Sequence, residues 1–348
     1  MSSFVESDTA ALPPTLILLR SRNGLLAFNG PSSAQACDAK ISPILGTFDS
    51  VANISIAPLY SPDGTILCIV RDVGLPLSLY DSLNGTLIGE IPCAEASYVE
   101  FSPKGSYIIT WSKAVKGSAE EINDGNLKIW NVSTRQLIAA YSQKSFKKET
   151  VQFTADESLC FRIVSNEVHI LKGADLSAGI LKKVYHKGIS QFRVSPTCTP
   201  FASIAVFNSD QGGNPAKVTM YKYISATNEV QGPLSCRTMF SASEASMSWS
   251  STGSALLVHT HSDVDKSNSS YYGASGLFLL SADGELSVAV PQSKDGQIHD
   301  VKWSPVGDRY SIFYTIYYSQ EFQMFFFLLS LSLKSSNAPS QPSSSDCV

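Results

Sequence analysis

The chain has 348 residues, of which 43% are hydrophobic and only 16% charged, with a formal net charge of −4. So few charges, against roughly 25% in an average soluble domain, exclude disorder over most of the length and a whole-chain basic field for nucleic acid. Length alone suggests about two domains, although all-β folds often run longer as one.

Residues 1–14 carry Glu6, Asp8, Pro13 and Pro14 with no basic stretch ahead of an apolar one. The segment is expected to be a disordered N-terminus and not a signal peptide. Thr15 to Asn29 then forms two apolar strands around Arg22-Asn23-Gly24, a hairpin turn signal.

From Tyr60 onward one small pattern recurs: an aromatic or aliphatic residue, Ser-Pro or a relative, a turn, then an apolar strand. It occurs at Tyr60–Gly64 (YSPDG), Phe101–Gly105 (FSPKG), Phe153–Glu157 (FTADE), Val194–Cys198 (VSPTC), Trp249–Gly253 (WSSTG) and Trp303–Gly307 (WSPVG). The Ser/Thr positions 61, 102, 154, 195, 250 and 304 are about 49 residues apart on average, close to the repeat of four-stranded propeller blades. Third strands follow at Leu77–Tyr80, Asn126–Trp130, Glu167–Ile170, Lys217–Tyr221 and Leu277–Leu280. Asn131–Arg135 stands where a WD hairpin would turn, with Trp130-Asn131 in place of Trp-Asp. Blades stacked face to face bury both sheet surfaces, so their strands are nearly continuous apolar runs. The spacing predicts an all-β, WD40-like β-propeller over 15–310, with five complete blades plus partial blades and an incomplete ring.

The seven cysteines include no C-x-x-C pair, so reduced thiols and a cytoplasmic setting are expected. Ile312 to Leu333 is strongly apolar, but Gln320, Glu321 and Gln323 interrupt it. Its longest uninterrupted part is about half a bilayer span, so no membrane helix is expected. Residues 311–333 could instead complete a sixth blade. Residues 334–348 are Ser/Pro-rich and expected to be disordered.

In a blade of strands a to d, the a–b turns lie at one end and the b–c loops and d–a connectors at the other. The long b–c loops and the connectors holding Lys144, Lys147 and Lys148, and approximately Lys182, Lys183 and Lys187, therefore share one rim. Residues 144–187 hold eight Lys/Arg against five Asp/Glu. Such a patch can meet ribosomal RNA through phosphates, or it can be a set of solvated connector lysines. Lys266, Tyr271 and Tyr272 in the loop after Ser262 extend the candidate rim; the tyrosines suit base stacking or a protein contact, or packing between blades. His259 and His261 with Asp263 and Asp265 could form a metal quartet, but an ordinary strand end is the preferred reading. The four tryptophans sit in repeat strands and are expected in the blade cores. No Walker loop, dinucleotide fingerprint or nucleophile elbow occurs, so no catalysis, cofactor or metal is expected.

The run Ser262–Gly273 (SDVDKSNSSYYG), with Gly284-Glu285, Ile298–Trp303 (IHDVKW) and Phe101–Lys104 (FSPK), resembles the eukaryotic translation initiation factor 2A family. The resemblance extends from Leu16 to about Tyr310. It implies a many-bladed propeller followed by a basic, partly helical region, and no enzymatic activity. It further implies association with the small (40S) ribosomal subunit, GTP-independent delivery of initiator methionyl-tRNA to mRNA, contacts with other initiation factors, and no membrane. After Tyr310 the sequence departs from the family pattern. The rival readings are the propeller subunit b of eukaryotic initiation factor 3, which carries an RNA-recognition motif ahead of its propeller, and a general WD40-type scaffold for protein complexes.

Overall fold

Each apolar run between turn signals forms a strand in the computed structural model, and successive strands pair with their chain neighbours. The structure describes residues 16–21, 24–29, 56–71, 74–113, 125–210, 214–239, 242–262, 275–291, 297–305, 309–318 and 321–330. A hairpin of β1 (Leu16–Ser21) and β2 (Gly24–Asn29) comes first. The first four-stranded sheet holds β3 (Leu59–Tyr60), β4 (Ile66–Ile69), β5 (Leu77–Asp81) and β6 (Leu87–Ile91). The second holds β7 (Tyr98–Phe101), β8 (Tyr107–Trp111), β9 (Leu127–Asn131) and β10 (Leu137–Tyr141). The third holds β11 (Val151–Phe153), β12 (Leu159–Val164), β13 (Glu167–Lys172) and β14 (Ile180–Tyr185). The fourth holds β15 (Gln191–Val194), β16 (Ala202–Asn208), β17 (Ala216–Ile224) and β18 (Glu229–Met239). The fifth holds β19 (Glu244–Trp249), β20 (Ala255–His261), β21 (Ser275–Ser281) and β22 (Ser287–Ala289). The sixth has three strands, β23 (Gln297–Trp303), β24 (Arg309–Tyr318) and β25 (Glu321–Ser330). Every sheet is a meander in chain order, so the fold is all-β and propeller-like, as the spacing predicts.

The sixth sheet holds three strands and extends past Tyr310. The apolar run beyond Tyr310 pairs β24 with β25 from Arg309↔Ser330 to Tyr318↔Glu321, and Glu321 and Gln323, which interrupt that run, fall at the start of β25. Among the described residues no helix is long and apolar enough to cross a membrane.

The chain divides into two compact units, Met1–Val164 with Val168–Lys183, and Ser165–Glu167 with Val184–Val348. Within the first, strand parity sends neighbouring residues into different cores. The cross-strand pair Ile108↔Trp130 joins Leu79, Ile91 and Val99. One residue on, Ile109↔Ile129 joins Val151, Phe153 and Cys160. The second unit repeats the device: Leu256↔Leu280 packs toward Val218 and Met220, whereas Leu257↔Leu279 packs toward Ile298 and Ile312. Both faces of a sheet are thus apolar, which accounts for the low charged fraction. Trp130, Trp249, Trp303 and Trp111 all pack into these clusters. Cys68, Cys93, Cys160, Cys198 and Cys236 are free thiols, and burial raises the pKa of Cys68 and Cys160.

The repeated Ser/Thr closes the turn between the first two strands of a sheet. Its backbone N–H donates to the residue that opens the second strand: Ile66 for Ser61, Tyr107 for Ser102, Leu159 for Thr154 and Ala255 for Ser250. Its buried hydroxyl accepts that same residue's N–H, at 2.9 Å for Ser61, 2.9 Å for Ser102, 3.2 Å for Thr154 and 3.3 Å for Ser250. In the longer fourth-sheet turn Ser195 takes the N–H of Ser203 at 2.9 Å. Removing such a hydroxyl strands a buried donor, which costs about 1–3 kcal/mol. Ser102→Ala should therefore lower stability by that amount in urea unfolding, while Ser133→Ala, in an exposed turn, should stay within about 0.5 kcal/mol. Equal effects of the two would remove the special role of the turn hydroxyl.

Candidate nucleic-acid interface

The connector from β10 to β11 carries Lys144, Lys147 and Lys148, and a dense set of contacts fixes its course. Phe146 lies against the Trp111 ring, 5.5 Å between centroids at 18°, and against Tyr98 at 4.7 Å. Trp111 Nε1 donates to the Gln143 carbonyl at 3.2 Å. Asn126, at the start of the third strand, holds Gln143 from both sides: its Oδ1 accepts the Gln143 N–H at 2.7 Å and its Nδ2 donates to the Gln143 carbonyl at 2.9 Å. Arg162 of β12 donates Nη2 to the Ser142 carbonyl at 2.9 Å, with its guanidinium 4.4 Å from the Tyr141 ring centre. A turn closes the segment, with Thr150 Oγ1 accepting the Lys147 N–H at 2.8 Å and the Thr150 N–H donating to the Lys147 carbonyl at 2.9 Å.

The lysine side chains are exposed, whereas Phe146 is half-buried between them in sequence. Lys113, at the end of β8, is exposed at the same end of the second sheet. A backbone held by these contacts and carrying exposed ammonium groups suits phosphate contacts that fix position without reading bases.

The other candidates are placed differently. Lys182 and Lys183 are not in a connector; they lie within β14, the outer strand of the third sheet, and are exposed. Adjacent strand residues point to opposite faces, so the two do not form one patch. Lys187 belongs to the second unit, and its carbonyl accepts from Asn208 Nδ2 at 2.8 Å. Lys266, Tyr271 and Tyr272 lie outside the described residues, as do Asp263 and Asp265. No cluster able to hold a metal occurs among the described residues.

Sequence reasoning missed a polar cluster beside Lys187. His186 Nδ1 is 2.7 Å from Tyr221 Oη and its Nε2 is 2.6 Å from Asn208 Oδ1. Asn208 Oδ1 can only accept, so Nε2 carries the proton and Nδ1 accepts from Tyr221. No local pattern marks the trio, because strand pairing alone brings residues 186, 208 and 221 together.

A protein of Schizosaccharomyces pombe named eukaryotic translation initiation factor 2A is 33% identical over 267 residues, covering 77% of this chain and 45% of the relative. A Dictyostelium discoideum protein of the same name is 34% identical over 261 residues, covering 73% and 40%. The chain belongs to the eukaryotic translation initiation factor 2A family. The family model described as eukaryotic translation initiation factor eIF2A matches residues 237–340, a range that runs past Tyr310 and takes in β24 and β25. A solved structure titled "Crystal structure of the eukaryotic initiation factor" superposes with a TM-score of 0.67 at 27% identity, covering 87% of this chain and 69% of that one. The chain spans less than half the length of the two eIF2A relatives.

Two outcomes follow from the geometry of the connector and of the buried histidines. Phe146→Ala removes the ring that seats the connector on Trp111 and Tyr98; it should raise Trp111 exposure and speed amide exchange across 143–150, at a cost of about 1–3 kcal/mol. Unchanged exchange there would show that Phe146 does not hold the connector. Burial lowers the pKa of His186 from its ordinary 6.5, opposed by the bond to Asn208 and helped by Lys217. Burial likewise lowers that of His259, with His261 and His299 adding to the effect and Asp300 opposing it. The unfolded chain then binds protons that the folded chain refuses, so stability is full above about pH 6.5 and declines as pH falls through that value. The unfolding midpoint should drop between about pH 7.5 and 5.5, and His186→Gln should flatten that slope.

Proposed function

We propose that this chain acts in translation initiation by binding and not by catalysis, associating in the cytoplasm with the small ribosomal subunit and supporting GTP-independent delivery of initiator methionyl-tRNA to selected mRNAs together with other initiation factors. Family membership supports the role. The observation that carries the contact surface is the β10–β11 connector, which presents three exposed lysines on a backbone held from both flanks. Residues 15–310 supply the docking body, with 334–348 outside it.

Phosphate binding by these lysines makes association salt-dependent, and neutralising one such lysine lowers the log–log salt slope by roughly 0.7–0.9. The test is sedimentation of the full chain with purified small subunits across a salt series. Lys144→Gln, Lys147→Gln and Lys148→Gln together should weaken binding and reduce the slope by about two to three. Intact co-sedimentation with an unchanged slope would remove the connector from the interface. Failure of the unaltered chain to co-sediment would overturn the ribosomal role and favour a scaffold for other proteins.

A further inference from the structure

The trio of His186, Asn208 and Tyr221 fixes a short stretch of chain at the end of β14, within the second unit. Burial alternates along that stretch. Val184 is buried and the His186 ring is held by Tyr221 and Asn208, whereas Tyr185 and Lys187 are exposed. The backbone is tied as closely as the ring. The His186 N–H donates to the Asn166 carbonyl at 2.9 Å and the Gly188 N–H donates to Asn166 Oδ1 at 2.8 Å. Asn208 Nδ2 donates to the carbonyls of Lys187 and Gly188 at 2.8 and 2.7 Å. Gly188 turns the chain at a φ of 76°, and a Cβ there would come within 3.2 Å of Asn208 Nδ2.

A second cation comes from β17. Lys217 is exposed, lies directly across from Asn208, and bears electrostatically on the His186 ring. Neither Lys187 nor Lys217 is in an ion pair among the described residues. Tyr185 is 66% exposed, more than any other large apolar side chain among them. A single bare ring on a surface is ordinary. Here the ring accompanies two uncompensated ammonium groups on a backbone that is already fixed, so little ordering is left to oppose binding. The complement of that combination is a flat, apolar surface joined to an anion. A nucleotide with an unstacked base has both parts.

We propose that this surface binds single-stranded RNA, with an unpaired base stacked on the Tyr185 ring and Lys187 and Lys217 neutralising flanking phosphates. The choice of RNA rests on the role in translation proposed above. A duplex offers phosphates but keeps its bases stacked on one another, so it lacks the free face that Tyr185 needs. The lysine connector lies in the other unit and presents exposed charge without an exposed ring.

The test titrates a fluorescein-labelled uridine oligonucleotide of about ten residues with the full chain and follows its anisotropy. Its duplex with the complementary adenosine strand is the comparison. Tyr185→Ala should weaken single-strand binding about tenfold, and Tyr185→Phe should retain it, because the ring and not the hydroxyl makes the contact. Lys187→Gln and Lys217→Gln should each lower the log–log salt slope by about 0.7. All three side chains are exposed, so these variants leave the core untouched. An unchanged affinity in Tyr185→Ala, or duplex binding as tight as single-strand binding, would overturn the proposal. A chain that co-sediments with small subunits but binds no single strand overturns this site alone. One that binds the single strand through Tyr185 but not the subunit supports this site and overturns the ribosomal contact.

Discussion

Burial of both faces of each sheet is the constraint on which the rest of this molecule depends. A sheet with one wet face carries its own register guard, because a slip of one residue moves its apolar set into water. Here Ile108 and Trp130 face one core and Ile109 and Ile129 the next, so a slip would exchange apolar residues for apolar residues. The hydrophobic effect gives the stability but little of the alignment, and register has to be fixed by something directional.

The turns between first and second strands supply that direction. In four of them a buried serine or threonine ties its own N–H and its hydroxyl to the residue opening the next strand, and Ser195 ties both groups to Ser203, the second residue of β16, across a longer turn. Neighbouring turns also touch. Glu157, itself at positive φ, accepts the Lys104 N–H at 2.7 Å, and a Cβ on Gly105 would come within 3.3 Å of Pro62. A side chain at Gly253 would collide with Thr197. One end of the sheets is therefore committed to structure. The opposite end, where second strands lead to third and fourth strands lead onward, carries loops of unequal length and composition, and that is where a surface for a partner can vary without disturbing register.

The sequence made the repeat legible because turn hydroxyls and apolar runs are local features. The five expected third strands fall within β5, β9, β13, β17 and β21, apart from Asn126 at the edge of β9. What escaped was long-range. The seat of the connector joins Phe146 to Trp111 and Tyr98, tens of residues away, and nothing near 146 announces it. His259 was readable as a strand residue, which it is, but the burial of its Nε2 without a hydrogen-bond partner depends on the strands facing it. Strand order in the sequence puts Lys182 and Lys183 only approximately in a connector, whereas they lie within β14, an outer strand that keeps one edge unpaired and tolerates charge in mid-strand.

That last misreading separates the lysines by the work they do. β14 is an open edge, with Ile180 and Tyr185 exposed at its two ends. Lysines on such an edge discourage pairing with another chain, because docking a strand there would bury their charge. Lys182 and Lys183 therefore have a structural reason to be basic whatever the protein binds. Lys144, Lys147 and Lys148 have none of that kind: they sit in a connector, not on a strand edge, and no ion pair holds their ammonium groups among the described residues. The chain keeps its charged residues scarce, yet places three cations within five positions on a segment that packing has already made rigid. Fold stability does not call for them there, which is why the proposed contact with a negatively charged partner rests on this connector and not on β14.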